Sequence, residues 1–191
     1  MSDGSIHTER WHDGDYDSYG DDSYSVEMVS PKLDYDELPK LQEAVRTVRK
    51  AHAKVNDSCG IHVHVDASAH TPQTLRNLAN IMASHESLLA EALDLDHYRM
   101  RRYCRTVDPR FLEQLNRRKP TTMADLADIW YSSQGANYGR SQHYNGSRYH
   151  MLNLHATFTK GTVEFRLFQF DAPSNGCLLY TSPSPRDYAA S

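Results

Sequence analysis

Two short segments of the chain alternate apolar and polar residues, which is the pattern of a half-buried β-strand. In the first segment, residues 59–66, aliphatic side chains alternate with His62, His64 and Asp66. Because successive side chains of a strand point to opposite faces, we expect the aliphatic face to be buried and both imidazoles to share the other face with the carboxylate. At a rise of ~3.3 Å per residue the two histidines lie roughly 7 Å apart at their roots. Such a face suits a metal ion or a phosphate group.

The second alternating segment, residues 162–168, puts Glu164 and Arg166 on one face and apolar residues on the other. Charged groups in such an apolar run need partners, because an unpaired buried charge is costly. A third candidate strand, residues 26–31, carries Glu27 in an otherwise apolar run that stops at Pro31. Taken singly, each strand also fits a plainer interpretation, namely a satisfied polar histidine or an ion-pair ladder on a solvated sheet face.

The remaining periodic segments predict helices and a β-hairpin. An apolar stripe at helical spacing runs from Asp36 to Val55. Helix starts with capping residues are predicted at Thr71-Pro72, Asp108-Pro109 and residues 121–125. Residues 149–158 and 161–170 are predicted as two strands joined by a short turn. The order of elements predicts an α+β fold with a mainly antiparallel sheet.

The net charge of −4 is unevenly distributed along the chain. Residues 1–37 hold 11 acidic and 2 basic residues, a net −9, whereas the remainder holds 14 acidic and 19 basic residues, a net +5. A positive remainder suits a phosphate-bearing ligand but is too diffuse to indicate a nucleic-acid partner. No apolar run approaches the ~20 residues of a membrane span, and no basic-then-apolar leader is present, so we expect a cytoplasmic protein without a membrane partner.

The composition also suggests how the chain is organised. We expect one catalytic domain over residues 1–171, with an exposed acidic loop at 11–23. Residues 172–191 have neither strand nor helix periodicity, and we expect a non-native or disordered tail there. Because the chain also begins abruptly, we expect the domain to be truncated at both ends.

In their order and spacing, five segments resemble the amidoligase family, carboxylate–amine ligases related to glutamine synthetase and glutamate–cysteine ligase. The matching segments are residues 3–6, 26–31, 59–65, 148–154 and 162–168. The resemblance implies a glutamine synthetase-like catalytic fold, in which a mainly antiparallel curved sheet with flanking helices lines a funnel. ATP enters one mouth of that funnel, and the carboxylate and amine substrates, small molecules or peptides, enter the other.

The resemblance also implies roles for individual residues of this sequence. It implies that Glu27, His62 and Glu164 bind a metal ion. It further implies that His64 lies near the nucleotide phosphates and that Arg166 neutralises the transferred phosphoryl group. Arg148 and Asn153 would face substrate or nucleotide. Glu164 and Arg166 are accordingly the expected catalytic residues, and ATP with Mg²⁺ or Mn²⁺ is the expected cofactor set.

The implied reaction explains why these residue types are present. One difference between this sequence and the family pattern lowers the activity that we expect. Joining a carboxylate to an amine in water is uphill, so ATP first phosphorylates the acid and the amine attacks the acyl phosphate to form an amide or isopeptide bond. Metal ions and an arginine stabilise the charge on the phosphoryl oxygens. Families of this kind carry a Glu-x-Glu pair on their first strand, and residues 1–26 contain none. We therefore expect this chain to transfer ATP phosphate poorly.

Two other classes of function fit the same residues. One is a metal-dependent hydrolase that uses His62, His64 and a carboxylate on Zn²⁺ or Mn²⁺, which would retain metal and act without nucleotide. The other is a non-enzymatic α+β binding module with a polar network, which would tolerate Glu164→Gln without loss of function.

Overall fold

The structure is a computed structural model that describes residues 10–12, 15–17, 27–51, 53, 55 and 59–169. The described residues fall into two units, of which the first ends at Cys59 and the second runs from Gly60 to Gln169.

The described part of the first unit contains a pair of short strands and one α-helix. Strand β1 (Arg10–His12) pairs antiparallel with β2 (Asp15–Asp17), so part of the acidic segment predicted as a loop forms strands. A 3₁₀ turn at Tyr35–Glu37 leads into α1 (Leu38–Lys50). Helix α1 confirms the predicted amphipathic helix, although it ends before Val55.

The predicted strand at 26–31 is wrong over its described part. Residues 27–34 have no regular secondary structure. Met28 and Val29 are neighbours in sequence, so they cannot share one face of a strand, and both are exposed. Pro31 in addition lacks the N–H group that a strand ladder needs.

The second unit contains a three-stranded sheet, which confirms the predicted α+β class. Its strands are β3 (Gly60–Asp66), β4 (Leu152–Asn153) and β5 (Thr162–Gln169), in the order β3-β5-β4 with both pairs antiparallel. The helices of this unit are α2 (Pro72–Ala92), α3 (His97–Arg102), α4 (Pro109–Arg118), α5 (Met123–Ser133) and α6 (His155–Lys160). Within the described ranges, no helix has the length and apolar character of a membrane span.

Capping side chains set the start of three helices as the sequence predicts. The Thr71 hydroxyl accepts a hydrogen bond from the N–H of Thr74 at the start of α2, with Pro72 in the first turn. Asp108 and Thr122 cap α4 and α5 in the same way. Each cap satisfies a backbone donor that the helix itself leaves free.

The first strand of the predicted hairpin at 149–158 is largely wrong. Only Leu152 and Asn153 are extended, and α6 follows at once. The Asn153 side-chain oxygen accepts a hydrogen bond from the backbone N–H of His155 at 2.9 Å, which turns the chain into the helix. Gly161, with φ of 71°, ends the helix in the left-handed region that glycine favours.

The hydrophobic core gathers between α2, α4, α5 and the apolar face of β5. Trp130 of α5 is almost completely buried and meets Phe111 of α4 edge-on at 4.9 Å between ring centroids. Val163 and Leu167 of β5 belong to this core. The aliphatic face of β3, predicted to be buried, is exposed at Val63 and Val65 and half-buried at Ile61. The buried cluster includes Val163 and Leu167 of β5 but no residue of β3, which is the outer strand among those that the structure describes.

The pairing of β3 with β5 contains an irregularity at the candidate site. Ile61 pairs with Phe168 and Val63 with Phe165, so His62 alone faces two residues, Arg166 and Leu167. An extra residue of this kind is a β-bulge, which changes the direction of the neighbouring side chains.

Candidate functional site

The strand register brings polar side chains of all three strands to one face of the sheet. His64 and Asn153 both pair with Glu164, and Asp66 pairs with Thr162. We call this set the polar face; it consists of His62, His64, Asp66, Asn153, Thr162, Glu164 and Arg166. The alternation in the sequence predicted how the side chains of β3 and β5 divide between faces, and the register brings them next to each other.

Glu164 is the centre of the polar face, and it is only 3% exposed. Its Oε1 accepts a hydrogen bond from Arg166 Nη1 at 2.7 Å, and its Oε2 accepts one from Asn153 Nδ2 at 2.6 Å. Burial, the largest single influence, raises the pKa of this carboxyl, but the charge and hydrogen bond of Arg166 together with the nearby His62 and His64 more than offset it, so the net pKa is lowered. Glu164 is therefore ionised at neutral pH.

Arg166 is held from three sides. Besides Glu164, its Nε contacts the Tyr103 carbonyl oxygen at 3.5 Å, and its Cζ lies 5.6 Å from the centre of the Tyr149 ring. The side chain is almost completely buried. A buried arginine with one carboxylate partner and an aromatic face is a fixed, oriented positive charge.

The two histidines lie on the solvent-accessible side of the Glu164–Arg166 pair. His62 Nδ1 is 3.4 Å from both Glu164 Oε1 and Arg166 Nη1, and His64 Nε2 is 3.7 Å from the same carboxylate oxygen. Burial, followed by the charge of Arg166, lowers the pKa of His62 to about 3. Burial also lowers the pKa of His64. Both imidazoles are thus neutral at pH 7 and able to act as hydrogen-bond partners or ligands.

Asn153 orients the carboxylate. Its Oδ1 is committed to the backbone N–H of His155, so its Nδ2 must point to Glu164. The side chain is 1% exposed. A contact of Asn153 with nucleotide or substrate stays a prediction.

Arg148 lies at the edge of a cleft beside the polar face. Its Nη1 donates to the His143 carbonyl oxygen at 3.0 Å, and its Cζ lies 5.5 Å from the Tyr144 ring and 5.6 Å from the Tyr149 ring. The cleft is lined by His143, Arg148, Asn153, His155, Ala156, Thr159, Lys160 and Glu164. Arg148 thus shares a cleft with two members of the polar face.

Glu27 belongs to the first unit, where its side chain is exposed. Its predicted role as a metal ligand stays a prediction.

The sequence did not predict the hydrogen bonds that hold His155, the residue to which Asn153 is bonded. Tyr131 of α5 contacts His155 Nδ1 through its hydroxyl at 2.7 Å, and His155 Nε2 lies 3.1 Å from the Gln142 carbonyl oxygen. These contacts join α5, the following loop and the start of α6. No periodic pattern in the sequence signals the Tyr131–His155 contact. Gly161, in contrast, could have identified α6 as a helix.

The polar face does not by itself form a metal site. Arg166 and Asn153 already hydrogen-bond the two Glu164 oxygens. Within the part of the chain that the structure describes, no group of three His, Cys, Asp or Glu residues could hold a metal ion. Metal binding by Glu27, His62 and Glu164 therefore remains a prediction.

The comparison with protein families identifies the chain. It belongs to the family described as "putative amidoligase enzyme", which matches residues 1–173. This match confirms the family inferred from the order of the five segments. Neither the curated proteins nor the solved structures gave a match.

The unfolding free energy of the protein is expected to fall as the pH is lowered from 7.5 to 5. His150 is 4% exposed, and its Nδ1–H donates to the Thr106 carbonyl oxygen at 2.7 Å. Burial lowers the pKa of His150 to about 4. The unfolded chain, with an ordinary histidine pKa near 6.5, takes up the proton first, so stability present above that pH is lost toward the folded pKa.

For His150 the expected loss between these two pH values is about 2 kcal/mol, and His62 adds to it in the same direction. Urea unfolding at both pH values measures the loss. His150→Asn should flatten the profile, and an unchanged slope in this variant would assign the effect to other groups.

Proposed function

We propose that this protein is an ATP-dependent carboxylate–amine ligase and that the polar face is its phosphoryl-transfer site. The observation that carries the proposal is the buried Glu164–Arg166 pair, flanked by two neutral imidazoles on one sheet face, in a chain of the amidoligase family. In the same proposal the three strands β3, β5 and β4 are part of a curved, glutamine synthetase-like sheet. The substrates are a small-molecule or peptide carboxylate and an amine.

The proposed reaction has two steps. A carboxylate oxygen of the acid attacks the γ-phosphorus of ATP, the bond to the β-γ bridging oxygen breaks, and an acyl phosphate and ADP form. The amine then attacks the acyl carbon, the phosphate leaves with the bonding electron pair, and the amine nitrogen loses a proton to give the amide. Both steps pass negative charge through the phosphoryl oxygens, so a fixed positive charge accelerates them.

Arg166 has the properties that this reaction requires. Its guanidinium presents planar donors that match phosphoryl oxygens, and its anchoring by Tyr103 and Glu164 reduces the cost of orienting it. His62 and His64 lie on the accessible side of Arg166 as neutral groups that can hydrogen-bond a phosphate. Glu164, held in turn by Asn153, keeps the guanidinium in one orientation.

The proposal includes Mg²⁺ or Mn²⁺ bound together with ATP, since ATP is handled by proteins as its divalent-metal complex. Because the described residues do not form a metal site, we assign the steps above to Arg166, His62 and His64 only.

The experiment compares the wild-type chain with Glu164→Gln and with Glu86→Gln. Glu86 is the matched control, because it is also a buried carboxylate but hydrogen-bonds the backbone N–H of Val107. ADP formation from MgATP is measured by mass spectrometry with a panel of amino acids and dipeptides as acid and amine. Glu164→Gln is expected to lower the rate of ADP formation at least about 100-fold, because Glu164 orients the guanidinium that stabilises the charge of the transition state. Glu86→Gln is expected to retain the wild-type rate.

Other results would favour the competing classes of function. Hydrolysis that proceeds without nucleotide and with tightly retained metal would indicate the hydrolase. Equal ADP formation in the wild type and in Glu164→Gln would reject the polar face as the phosphoryl-transfer site.

A further inference from the structure

The cleft beside the polar face has more positive than negative charge. Arg148 and Lys160 line it, and Glu164 at its wall is already paired with Arg166. Among the residues that the structure describes, neither Arg148 nor Lys160 has a carboxylate within ion-pair distance. The described lining thus contains two cations without a carboxylate partner and one carboxylate that Arg166 already neutralises.

Both cations are placed by the local fold. Arg148 ends the 3₁₀ turn Gly146–Arg148 and is fixed between the rings of Tyr144 and Tyr149. Lys160 is the last residue of α6 and is separated only by Gly161 from Thr162, whose hydroxyl contacts His64 Nδ1 at 2.8 Å. The short α6, which the sequence did not predict, therefore brings Lys160 to the end of the polar face.

The cleft adjoins the polar face, because Asn153 and Glu164 line the cleft and also belong to that face. Because no carboxylate neutralises Arg148 or Lys160 in the described ranges, a bound anion would gain from both.

We propose that Arg148 and Lys160 form an anion subsite that holds an oxyanion, a carboxylate or a phosphate group, beside Glu164. Arg148 supplies a guanidinium that is stacked on two aromatic rings, and Lys160, which is exposed, supplies an ammonium on a flexible side chain that lines the same cleft. The identity of the natural anion rests on the proposed function, in which it is either the substrate carboxylate or a phosphate group of the nucleotide. The subsite itself rests on the charges and lining of the cleft.

The subsite is tested by titration calorimetry of the full chain, without nucleotide, using pyrophosphate and glutarate as separate probes. The variants are Arg148→Gln and Lys160→Gln, and the control is Arg117→Gln, which removes the same charge from the exposed end of α4. Each subsite variant is expected to raise the dissociation constant about tenfold or more, the effect of losing one charge-assisted hydrogen bond. Thermal unfolding confirms that each variant is folded.

The two probes separate the two sources of the anion. A loss confined to pyrophosphate supports the subsite as a phosphate site, a loss confined to glutarate supports it as a carboxylate site, and a loss for both supports a shared oxyanion site. The proposal is overturned if the wild type binds neither probe or if Arg117→Gln weakens binding as much as the subsite variants do. Anion binding that depends on Arg148 and Lys160, in a chain without ATP-dependent ligation, would leave the subsite standing and reject the proposed function.

Discussion

Replacing Glu164 with Gln is expected to lower the free energy of unfolding by about 3 kcal/mol at pH 7. The variant leaves the Arg166 guanidinium buried beside a neutral amide, and a buried charge without its counter-charge is strongly destabilising. Arg166→Gln should cost a similar amount, because it leaves the Glu164 carboxylate buried without its counter-charge, beside Asn153 and the neutral imidazoles of His62 and His64.

The double variant Glu164→Gln/Arg166→Gln is expected to be more stable than the sum of the single effects predicts, because neither amide leaves a charge behind. Urea unfolding of all four proteins gives the coupling energy, and Glu86→Gln again serves as the control for loss of a buried carboxylate. Additive single effects, with no coupling energy, would show that the two side chains do not depend on each other in solution.

The second large effect is expected for Asn153→Asp, which should destabilise the protein by about 3 kcal/mol at pH 7. The new carboxylate replaces the amide that donates to Glu164 Oε2 at 2.6 Å, so two buried acids meet. The shared proton then raises the pKa of the acid pair in the folded state, whereas the unfolded carboxyls keep ordinary pKa values.

Asn153→Asp therefore has a distinctive pH dependence. The folded state binds an extra proton as the pH is lowered, so the penalty of the variant is largest at pH 7 and shrinks toward pH 5. Asn153→Ala loses the same donor without adding a charge, so it is the comparator. Its unfolding free energy should lie below that of the wild type by the same amount at pH 7 and at pH 5. The same pH course in both variants would mean that residue 153 does not contact Glu164.

The polar face was the part of the structure that the sequence predicted best. Strict alternation in residues 59–66 and 162–168 fixes which side chains share a face, since a strand has a period of two. The helix starts at Thr71, Asp108 and Thr122 could also be predicted, because a capping residue and the backbone group that it binds lie within a few residues of each other in the sequence.

The errors occurred where tertiary structure decides. Residues 149–158 have enough apolar and aromatic residues for a strand, but the hydrogen bond of Asn153 to His155 turns them into α6. The burial of β3 depends on which elements pack against its aliphatic face, which no local pattern encodes, and the buried cluster of the described residues includes residues of β5 but none of β3. The Tyr131–His155 contact joins residues 24 positions apart, and only the folded chain brings them together.

The central claim is that the polar face transfers a phosphoryl group to a carboxylate, and isotope transfer tests it most directly. The chain is incubated with MgATP and amino acids whose carboxylates carry ¹⁸O, and the released phosphate is analysed by mass spectrometry. An acyl phosphate passes one carboxylate oxygen to phosphate, so the phosphate that the wild type and Glu86→Gln release, even at the low rate expected for this chain, should carry label, and Glu164→Gln should release no labelled phosphate. Phosphate released by the wild type without label would contradict the account, and so would equal labelling by Glu164→Gln.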